Sequence, residues 1–291
     1  MSPTEIPPTG VLPTEIPPTL IVGLHGTLQR HPWLDRVVER DPESSVEEDV
    51  LGLAIDRAGA YGWQTVSRWL SEEGRVTAHH EPTAWAHEEV GGDWTHDGRV
   101  HQLGWLQAGV LPDAVRPRLP VRPIALLLSE TLARVGEVTF TGLHALLPLR
   151  PGERDTAFHQ TELAPWFGLA DPDARHEVVV TVSCRPTECA MTEDDVVAVR
   201  DAVRDMAQDS VTDVSVADAS ATAGRLQGLE LDLDRVLHTQ GMRGVARFGC
   251  RTREWSPDIA VWLVEMVADG LRAAGLSAQL VITVSLERMT V

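Results

Sequence analysis

Lysine is absent from this chain of 291 residues, so all 25 basic residues are arginine, and asparagine is absent as well. Without lysine the protein cannot form a Schiff base with pyridoxal phosphate, and it cannot use a P-loop lysine or a Ser-x-x-Lys nucleophile. A composition rich in arginine and alanine but free of lysine is typical of a bacterial genome with high GC content. Adaptation to high salt is the alternative explanation.

Cysteines and long apolar runs are also scarce. The three cysteines are too few, and odd in number, for a disulfide framework, which indicates a reducing compartment. No run of about 18 apolar residues is present, and the opening MSPTEIPPTG lacks the basic and apolar regions of a signal peptide. We therefore expect a cytoplasmic protein that does not span a membrane.

Negative charge dominates the composition, with 43 acidic against 25 basic residues and a net charge of -18. Such a field repels phosphate backbones and anionic lipids, so neither nucleic acid nor a membrane surface is expected as a partner. The Gly-x-Gly-x-x-Gly, Gly-x-Ser-x-Gly and His-Glu-x-x-His motifs are missing. We therefore expect no organic cofactor and a small molecule as the partner.

Proline, glycine and aspartate predict where the chain divides. The segment PTEIPPT occurs twice near the start and favours extended polyproline II without packing, with a docking tail as the alternative. A stretch without sustained periodicity in the middle of the chain marks a domain boundary. The predicted divisions are a proline-rich leader at 1–19, an N-terminal α+β domain at 20–150, a linker at 151–176 and a C-terminal domain at 177–291.

An internal repeat gives the clearest structural signal. VVVTVSCRPTECAMTEDDVVAVRDAVRDMAQDSVTDVSV and GVARFGCRTREWSPDIAVWLVEMVADGLRAAGLSAQLVITVSL each contain a strand, a capped helix and a second strand. Thr192 is predicted to begin the first helix, and Ser256 followed by Pro257 the second. The C-terminal domain is therefore predicted to be a duplicated βαβ, ferredoxin-like, two-layer sandwich. The N-terminal domain is predicted to combine helices with a β-hairpin, which makes the chain α+β.

The repeat also duplicates the pattern Cys-Arg-x-x-Glu, at Cys184 and at Cys250. Thiols beside arginine can act as nucleophiles with lowered pKa values. However, the first strands of two such units are antiparallel neighbours, which predicts that the two cysteines lie at opposite ends of the sheet. Structural duplication is therefore favoured over catalysis, and the spacing of Cys184 and Cys189 is too weak a pattern for zinc.

Helix and strand patterns in the first half support its α+β assignment. PIALLLSETLARVG is typical of a buried helix, and EVTFTGLHALL is typical of a strand. Upstream, SVEEDVLGLAIDRAG has capping-box spacing between Ser45 and Glu48 and one apolar face, which predicts an amphipathic helix.

Five of the eleven histidines lie in HHEPTAWAHEEVGGDWTHDGRVH, residues 79–101. Within it, WTHDGRVH predicts a hairpin with Asp97-Gly98 as a two-residue turn. In that register, alternate residues of both strands project from one face of the ribbon. The side chains predicted to share this face are Trp94, His96, Arg99, His101, Leu103 and Trp105.

The histidine-rich stretch supplies the predicted site. The candidate catalytic residues are His96, His101, Glu81 and His87. The candidate substrate-binding residues are Trp85, Trp94, Trp105 and Arg99. Their spacing matches no metal-ligand template, so whether a metal binds is left open. A solvent-exposed hairpin without a site is the alternative.

Two functions fit these patterns. The first is a small-molecule enzyme without organic cofactor, with acid–base chemistry of the isomerase, cyclase or lyase type in a pocket lined by Trp and His. The second is a non-catalytic binding or assembly protein that forms a homodimer through the ferredoxin-like sheet. Clustered histidine, glutamate and tryptophan favour the enzyme.

Overall fold

The structure is a computed structural model that describes residues 19–40, 52–58, 85–110, 119–149, 156–189, 191–217, 229, 231, 233 and 238–287. Within these residues, eight strands form one antiparallel sheet, accompanied by six helices. The α+β class predicted from the sequence is thus confirmed. No helix in this part of the chain is long and apolar enough to cross a membrane.

The elements confirm several local predictions. The helix in PIALLLSETLARVG and the strand in EVTFTGLHALL are observed as α3 and β4, and residues 52–58 form a short helix, α2, within SVEEDVLGLAIDRAG. The proposed cap of that helix lies outside the described residues. The elements in chain order are β1 (Thr19–Arg30), α1 (Pro32–Arg40), α2 (52–58), β2 (Trp85–Gly91), β3 (His101–Val110), α3 (Val121–Val135), β4 (Gly136–Pro148), α4 (Thr156–Phe167), β5 (His176–Cys184), α5 (Glu193–Ala207), β6 (Val211–Ala217), β7 (Arg243–Thr252), α6 (Pro257–Ala273) and β8 (Gln279–Leu286).

Side-chain caps fix the starts of α5 and α6 where the sequence predicts them. The Thr192 hydroxyl accepts a hydrogen bond from the Asp195 N–H, and the Asp195 carboxylate accepts one from the Thr192 N–H. The Ser256 hydroxyl accepts a hydrogen bond from the N–H of Ile259, with Pro257 as the first helical residue. Each cap satisfies a backbone N–H that has no partner within its helix.

The sheet consists of two sets of four strands with the same connectivity. The strand order is β2-β3-β1-β4-β8-β5-β7-β6. In each set the first strand pairs with the third and the fourth, and the third also pairs with the second. The sets join edge to edge where β4 pairs with β8. One continuous sheet therefore runs through both halves of the chain.

Register shifts recur at matching places in the two sets. The pairing of β1 with β3 shifts after Leu24, and the pairing of β5 with β7 shifts after Val182. A second shift follows His87 on β2 and Thr212 on β6. Because a bulge places an extra residue at a defined position of a strand, these coincidences align the two sets residue by residue.

The helices form two layers on one side of the sheet. α3, α5 and α6 pack side by side, and α4 lies across α5 and α6. Trp262 of α6 is fully buried there; its ring stacks on Phe167 of α4 at 4.7 Å between centroids, and its indole N–H donates to the Gln160 carbonyl at 3.1 Å. α6 is consequently buried on nearly all sides.

α4 lies within the segment that the sequence predicts as a linker. Its apolar residues are spread around the helix instead of forming one face, and Pro165 stands inside it, so neither periodicity nor composition indicates a helix. The helix is stabilised by its contacts with α5 and α6. The division of the chain into domains itself stays a prediction.

The opposite side of the sheet, here called the rear face, is also buried near its centre. Ile21, Leu146 and Val281 project from β1, β4 and β8 on this face. Leu229, Leu231 and Met242, from the connection between β6 and β7, pack on them. The described leucines of the segment LELDLDRV do not lie in a strand.

Candidate functional site

The predicted two-residue turn at Asp97-Gly98 is wrong. β2 pairs with β3 only as far as Gly91, and residues 92–100 form the loop between the two strands. Within this loop the Asp93 carboxylate accepts a hydrogen bond from the Thr95 N–H at 3.0 Å, and the Asp97 carboxylate accepts one from the Arg99 N–H at 2.9 Å. Such side-chain bonds two residues along the chain replace the cross-strand bonds that a tight hairpin needs.

The loop separates the side chains that the hairpin was expected to group. Trp94 is buried and donates its indole N–H to the Leu103 carbonyl at 2.7 Å. His96 is exposed, and its Nδ1 accepts a hydrogen bond from Arg30 at 3.3 Å. The side chain of Arg99 is 83% exposed. The hairpin face that was expected to hold both His96 and His101 is therefore not formed.

Other predicted site residues fall outside the described part of the chain. Glu81 is one of them, and the side chains of Trp85 and His87 on β2 are also not described. Their roles stay predictions. Among the residues that are described, no group of three or more His, Cys, Asp or Glu side chains is placed to hold a metal ion.

His101, at the start of β3, lies between two carboxylates. Its Nδ1 is 3.0 Å from Asp93, and its Nε2 is 2.8 Å from Asp97. The hydrogen bond with Asp97 and the charges of both carboxylates outweigh burial and raise the pKa of the imidazole. Because both ring nitrogens are engaged, His101 connects Asp93 and Asp97 and holds the loop closed.

The two carboxylates respond in the opposite sense. The hydrogen bond with His101 and the backbone N–H of Arg99 lower the pKa of Asp97. At Asp93, burial raises the pKa, but hydrogen bonds from Thr95 and the charge of His101 outweigh it, so the pKa is lowered overall. The loop is therefore most stable where His101 is protonated and both aspartates are ionised.

This arrangement predicts a pH dependence for His101→Gln. The contribution of His101 is present below the unfolded-state pKa of about 6.5 and is lost as the pH rises through the raised folded-state pKa. The contribution of the aspartates is present above about pH 4 and is lost as the pH falls through their lowered folded-state pKa values. At pH 5.5 the variant should melt about 2 °C below the wild type. At pH 9 the two proteins should melt at the same temperature. Thermal melts of both proteins check this, and a difference that grows toward pH 9 would contradict it.

A different pair of histidines lies at the centre of the rear face. His25 on β1 and His144 on β4 are joined by a hydrogen bond of 2.8 Å between Nε2 of the first and Nδ1 of the second. The ring centroids are 5.1 Å apart, and the side chains are 0% and 4% exposed. In a neutral pair one of these nitrogens donates its proton and the other accepts it.

Burial keeps both imidazoles neutral. It lowers the pKa of His144 to about 4. It also lowers the pKa of His25 well below its usual value, and repulsion from a charged His144 lowers it further. An imidazolium in this position would lose its hydration, and the neutral imidazole beside it stabilises the positive charge less than a carboxylate would. At pH 7 the pair is therefore available as a base and a hydrogen-bond donor in one unit.

Gly23 provides the room for this pair. A Cβ atom on Gly23 would lie 2.2 Å from His144 Cε1 and 2.8 Å from His144 Nδ1. It would also lie 3.1 Å from Nε2 of Gln102, on β3. The His144 ring and the Gln102 amide thus converge over the bare backbone of Gly23, and any larger residue would displace the ring.

His144 belongs to a row of paired residues that crosses all eight strands on the rear face, here called the central row. Trp105, the predicted substrate-binding residue on β3, is the cross-strand neighbour of Gly23, and Thr283 is the neighbour of His144. His144, Thr283 and Thr181 are buried, whereas Trp105 is partly exposed. The members in strand order are Gly91, Trp105, Gly23, His144, Thr283, Thr181, Arg247 and Ala217.

The sequence contains a signal for the pair, but a weak one. His25 interrupts the apolar segment LIVGLHGTL, and His144 interrupts EVTFTGLHALL. A histidine that is buried inside an apolar strand needs a polar partner, so its presence there indicates a polar contact elsewhere in the fold. The partner could not be read from the sequence, because the two residues are 119 positions apart and meet only through the pairing of β1 with β4.

Comparison with known proteins gives no relative from which the function of this site could be inferred. No family model matches the chain, and no curated protein and no solved structure matches it either.

Proposed function

We propose that the protein is a small-molecule enzyme that transfers a proton at a carbon next to a carbonyl, in a reaction of the isomerase, lyase or cyclase type. His25 and His144 are its acid–base pair. The observation that carries the proposal is the 2.8 Å hydrogen bond between two buried imidazoles. This moves the acid–base function expected from the sequence away from the loop containing His96 and His101.

The chemistry follows from the neutral state of the pair. An imidazole whose pKa is lowered stays deprotonated, and so can accept a proton, throughout the physiological pH range. A ring that takes up a proton donates the shared hydrogen bond to the other, neutral ring, which stabilises the new charge. That hydrogen bond also fixes the tautomer and orientation of both rings, which general base catalysis requires.

Gln102 is the proposed donor to the developing oxyanion. Its amide nitrogen lies 3.1 Å from the point over Gly23 that the His144 ring covers, which places the amide next to that ring. An enolate oxygen formed next to the abstracted proton needs a neutral hydrogen-bond donor at such a position. Trp105, beside Gly23 in the central row, supplies an apolar wall for a flat substrate.

The apolar cover of the rear face favours catalysis there. Leu229 lies over Gly142, which pairs with His25, so the connection between β6 and β7 packs beside the dyad. Exclusion of water strengthens electrostatic interactions inside the site. The connection between β6 and β7 also occupies part of the sheet surface through which an assembly protein would form a homodimer. We therefore favour the enzyme.

We further infer that the whole chain is a duplication of one ferredoxin-like unit, with β1–β4 in one copy and β5–β8 in the other. This extends the duplicated βαβ expected for 177–291 to the first half. The inference is supported by the shared connectivity and the matching register shifts. Aligned on those shifts, Ser183 stands where the first copy has His25. The imidazole pair is therefore a property of the first copy alone.

Deuterium exchange tests the proposed function without knowledge of the natural substrate. The full-length protein is incubated in heavy water with a panel of enolisable ketones, aldehydes and keto acids, and loss of the carbon-bound proton signal is followed by NMR. His144→Gln is expected to lower the catalysed exchange rate by about 100-fold or more, the usual contribution of a general base. His25→Gln should have a comparable effect because it removes the partner that orients the ring.

Two further variants make the result interpretable. His101→Gln removes a histidine outside the dyad and should leave the exchange rate within about twofold of the wild type, since it removes no general base. Gln102→Leu, which keeps both histidines, should also slow exchange because the oxyanion donor is lost. Equal rates for the wild type and His144→Gln with every compound of the panel would contradict the proposal.

A further inference from the structure

The turn that follows β5 brings together two of the three cysteines. Cys184 ends β5, and its Sγ lies 3.7 Å from the Cys189 carbonyl oxygen. The turn is closed by hydrogen bonds to the Arg185 carbonyl from the N–H of Glu188 at 2.9 Å and from the N–H of Cys189 at 3.2 Å. Both thiols face the same apolar core, with the Cys184 side chain fully buried and Cys189 7% exposed.

We propose that Cys184 and Cys189 are a reversible thiol–disulfide site that a hydroperoxide oxidises to an intramolecular disulfide. The proposal is independent of the proton-transfer function, because neither cysteine lies on the rear face. It differs from a zinc site, since only these two thiols meet in the turn and structural zinc needs four ligands.

The two thiols differ in a way that assigns their roles. Cys189 lies next to the exposed residues of the turn, so an oxidant reaches it first when the turn opens. The hydrogen bond between the thiols raises the pKa of Cys184, and burial raises it further, while the same hydrogen bond favours the thiolate of Cys189. Cys189 is therefore the attacking thiol and Cys184 the resolving thiol.

The reaction balances with hydrogen peroxide as the oxidant. The Cys189 thiolate attacks one peroxide oxygen, the O–O bond breaks, and the departing hydroxide takes up the thiol proton to leave as water. The Cys184 sulfur then attacks the sulfenic sulfur of Cys189, and the hydroxyl group leaves as a second water with the Cys184 proton. Two thiols and one peroxide give one disulfide and two waters.

Cys250 provides an internal control. It lies on β7 opposite Val178, near the start of β5, whereas Cys184 lies at the end of β5 opposite Arg243. This is the separation of Cys184 and Cys250 that the sequence repeat predicted. Burial raises the pKa of the Cys250 thiol to about 12, so it is expected to resist oxidation.

Thiol counting tests the proposal on the full-length protein. The folded, reduced protein is treated with hydrogen peroxide, quenched and titrated for thiols in denaturant. The count should fall from three to one, and dithiothreitol should restore it. The tryptic peptide His176–Arg200, which contains both cysteines, should lose about 2 Da, the mass of the two hydrogens removed.

Single variants separate this result from non-specific oxidation. Cys189→Ala should form no disulfide within the chain, and Cys250→Ala should still lose two thiols. If a variant does not fold, the mass of the wild-type peptide still shows whether Cys184 and Cys189 are joined. Three thiols remaining after peroxide, a disulfide that joins two chains, or one that includes Cys250 would overturn the proposal.

Discussion

Replacing Trp262 with alanine is expected to lower the free energy of unfolding by about 3–5 kcal/mol, which is the usual loss for a large buried aromatic side chain. Trp262 is fully buried between α6 and α4. The substitution removes its ring stacking with Phe167 and the hydrogen bond to the Gln160 carbonyl, and leaves a cavity beneath α4. Urea denaturation followed by circular dichroism measures the loss.

Trp166→Ala is the matched control for this substitution. Trp166 lies on α4, the other helix of this contact, but it is 67% exposed. Its replacement should change the free energy of unfolding by less than about 0.5 kcal/mol, as surface substitutions usually do. A loss of less than about 1 kcal/mol for Trp262→Ala would contradict the packing of α4 on α6, because cavity formation in a core costs more.

Gly23→Ala is expected to break the His25–His144 hydrogen bond and to lower the free energy of unfolding by about 1–3 kcal/mol, the range for overpacking of a core. The new methyl group would lie 2.2 Å from His144 Cε1, so the ring must move. His144 has little room on β4, because its cross-strand neighbour Thr283 is also buried. The exchange activity proposed for the pair should be lost with it.

Gly52→Ala separates this steric effect from the general effect of replacing a glycine. Gly52 lies in α2, and an added Cβ would meet no atom of the described residues within 4 Å. Alanine in a helix is favoured over glycine by about 0.5–1 kcal/mol, so the control should be neutral or stabilising. A Gly23→Ala protein as stable as the wild type, with unchanged His144 signals in NMR spectra, would show that the ring does not lie over Gly23.

Local structure was the part of the fold that the sequence predicted well. The caps at Thr192 and Ser256 and the pattern of α3 depend on neighbours within a few residues, so they can be read directly from the chain. The position of β4 is equally local. The equivalence of the two halves was not visible, because it rests on strand pairing and register shifts, while the predicted repeat covered only the second half.

The candidate site shows the same limit. The concentration of histidines in residues 79–101 indicated a site in the loop before β3, where the structure shows His101 held by Asp93 and Asp97. Asp97-Gly98 is a strong local signal for a tight turn, but hydrogen bonds of the aspartate side chains to the loop backbone compete with it. His25 and His144 each give only a weak signal by interrupting an apolar segment, and their pairing appears only when β1 and β4 are adjacent.

Histidine NMR tests the central claim most directly, which is that His25 and His144 form a neutral, hydrogen-bonded pair. The protein is labelled with ¹⁵N-histidine, the signals are assigned with His25→Gln and His144→Gln, and spectra are recorded between about pH 5.5 and 8, on either side of the ordinary histidine pKa. Both rings should stay neutral throughout, because burial lowers the pKa of each. One nitrogen of the hydrogen bond should carry a proton and the other none. Titration of either ring near pH 6.5 would contradict the account.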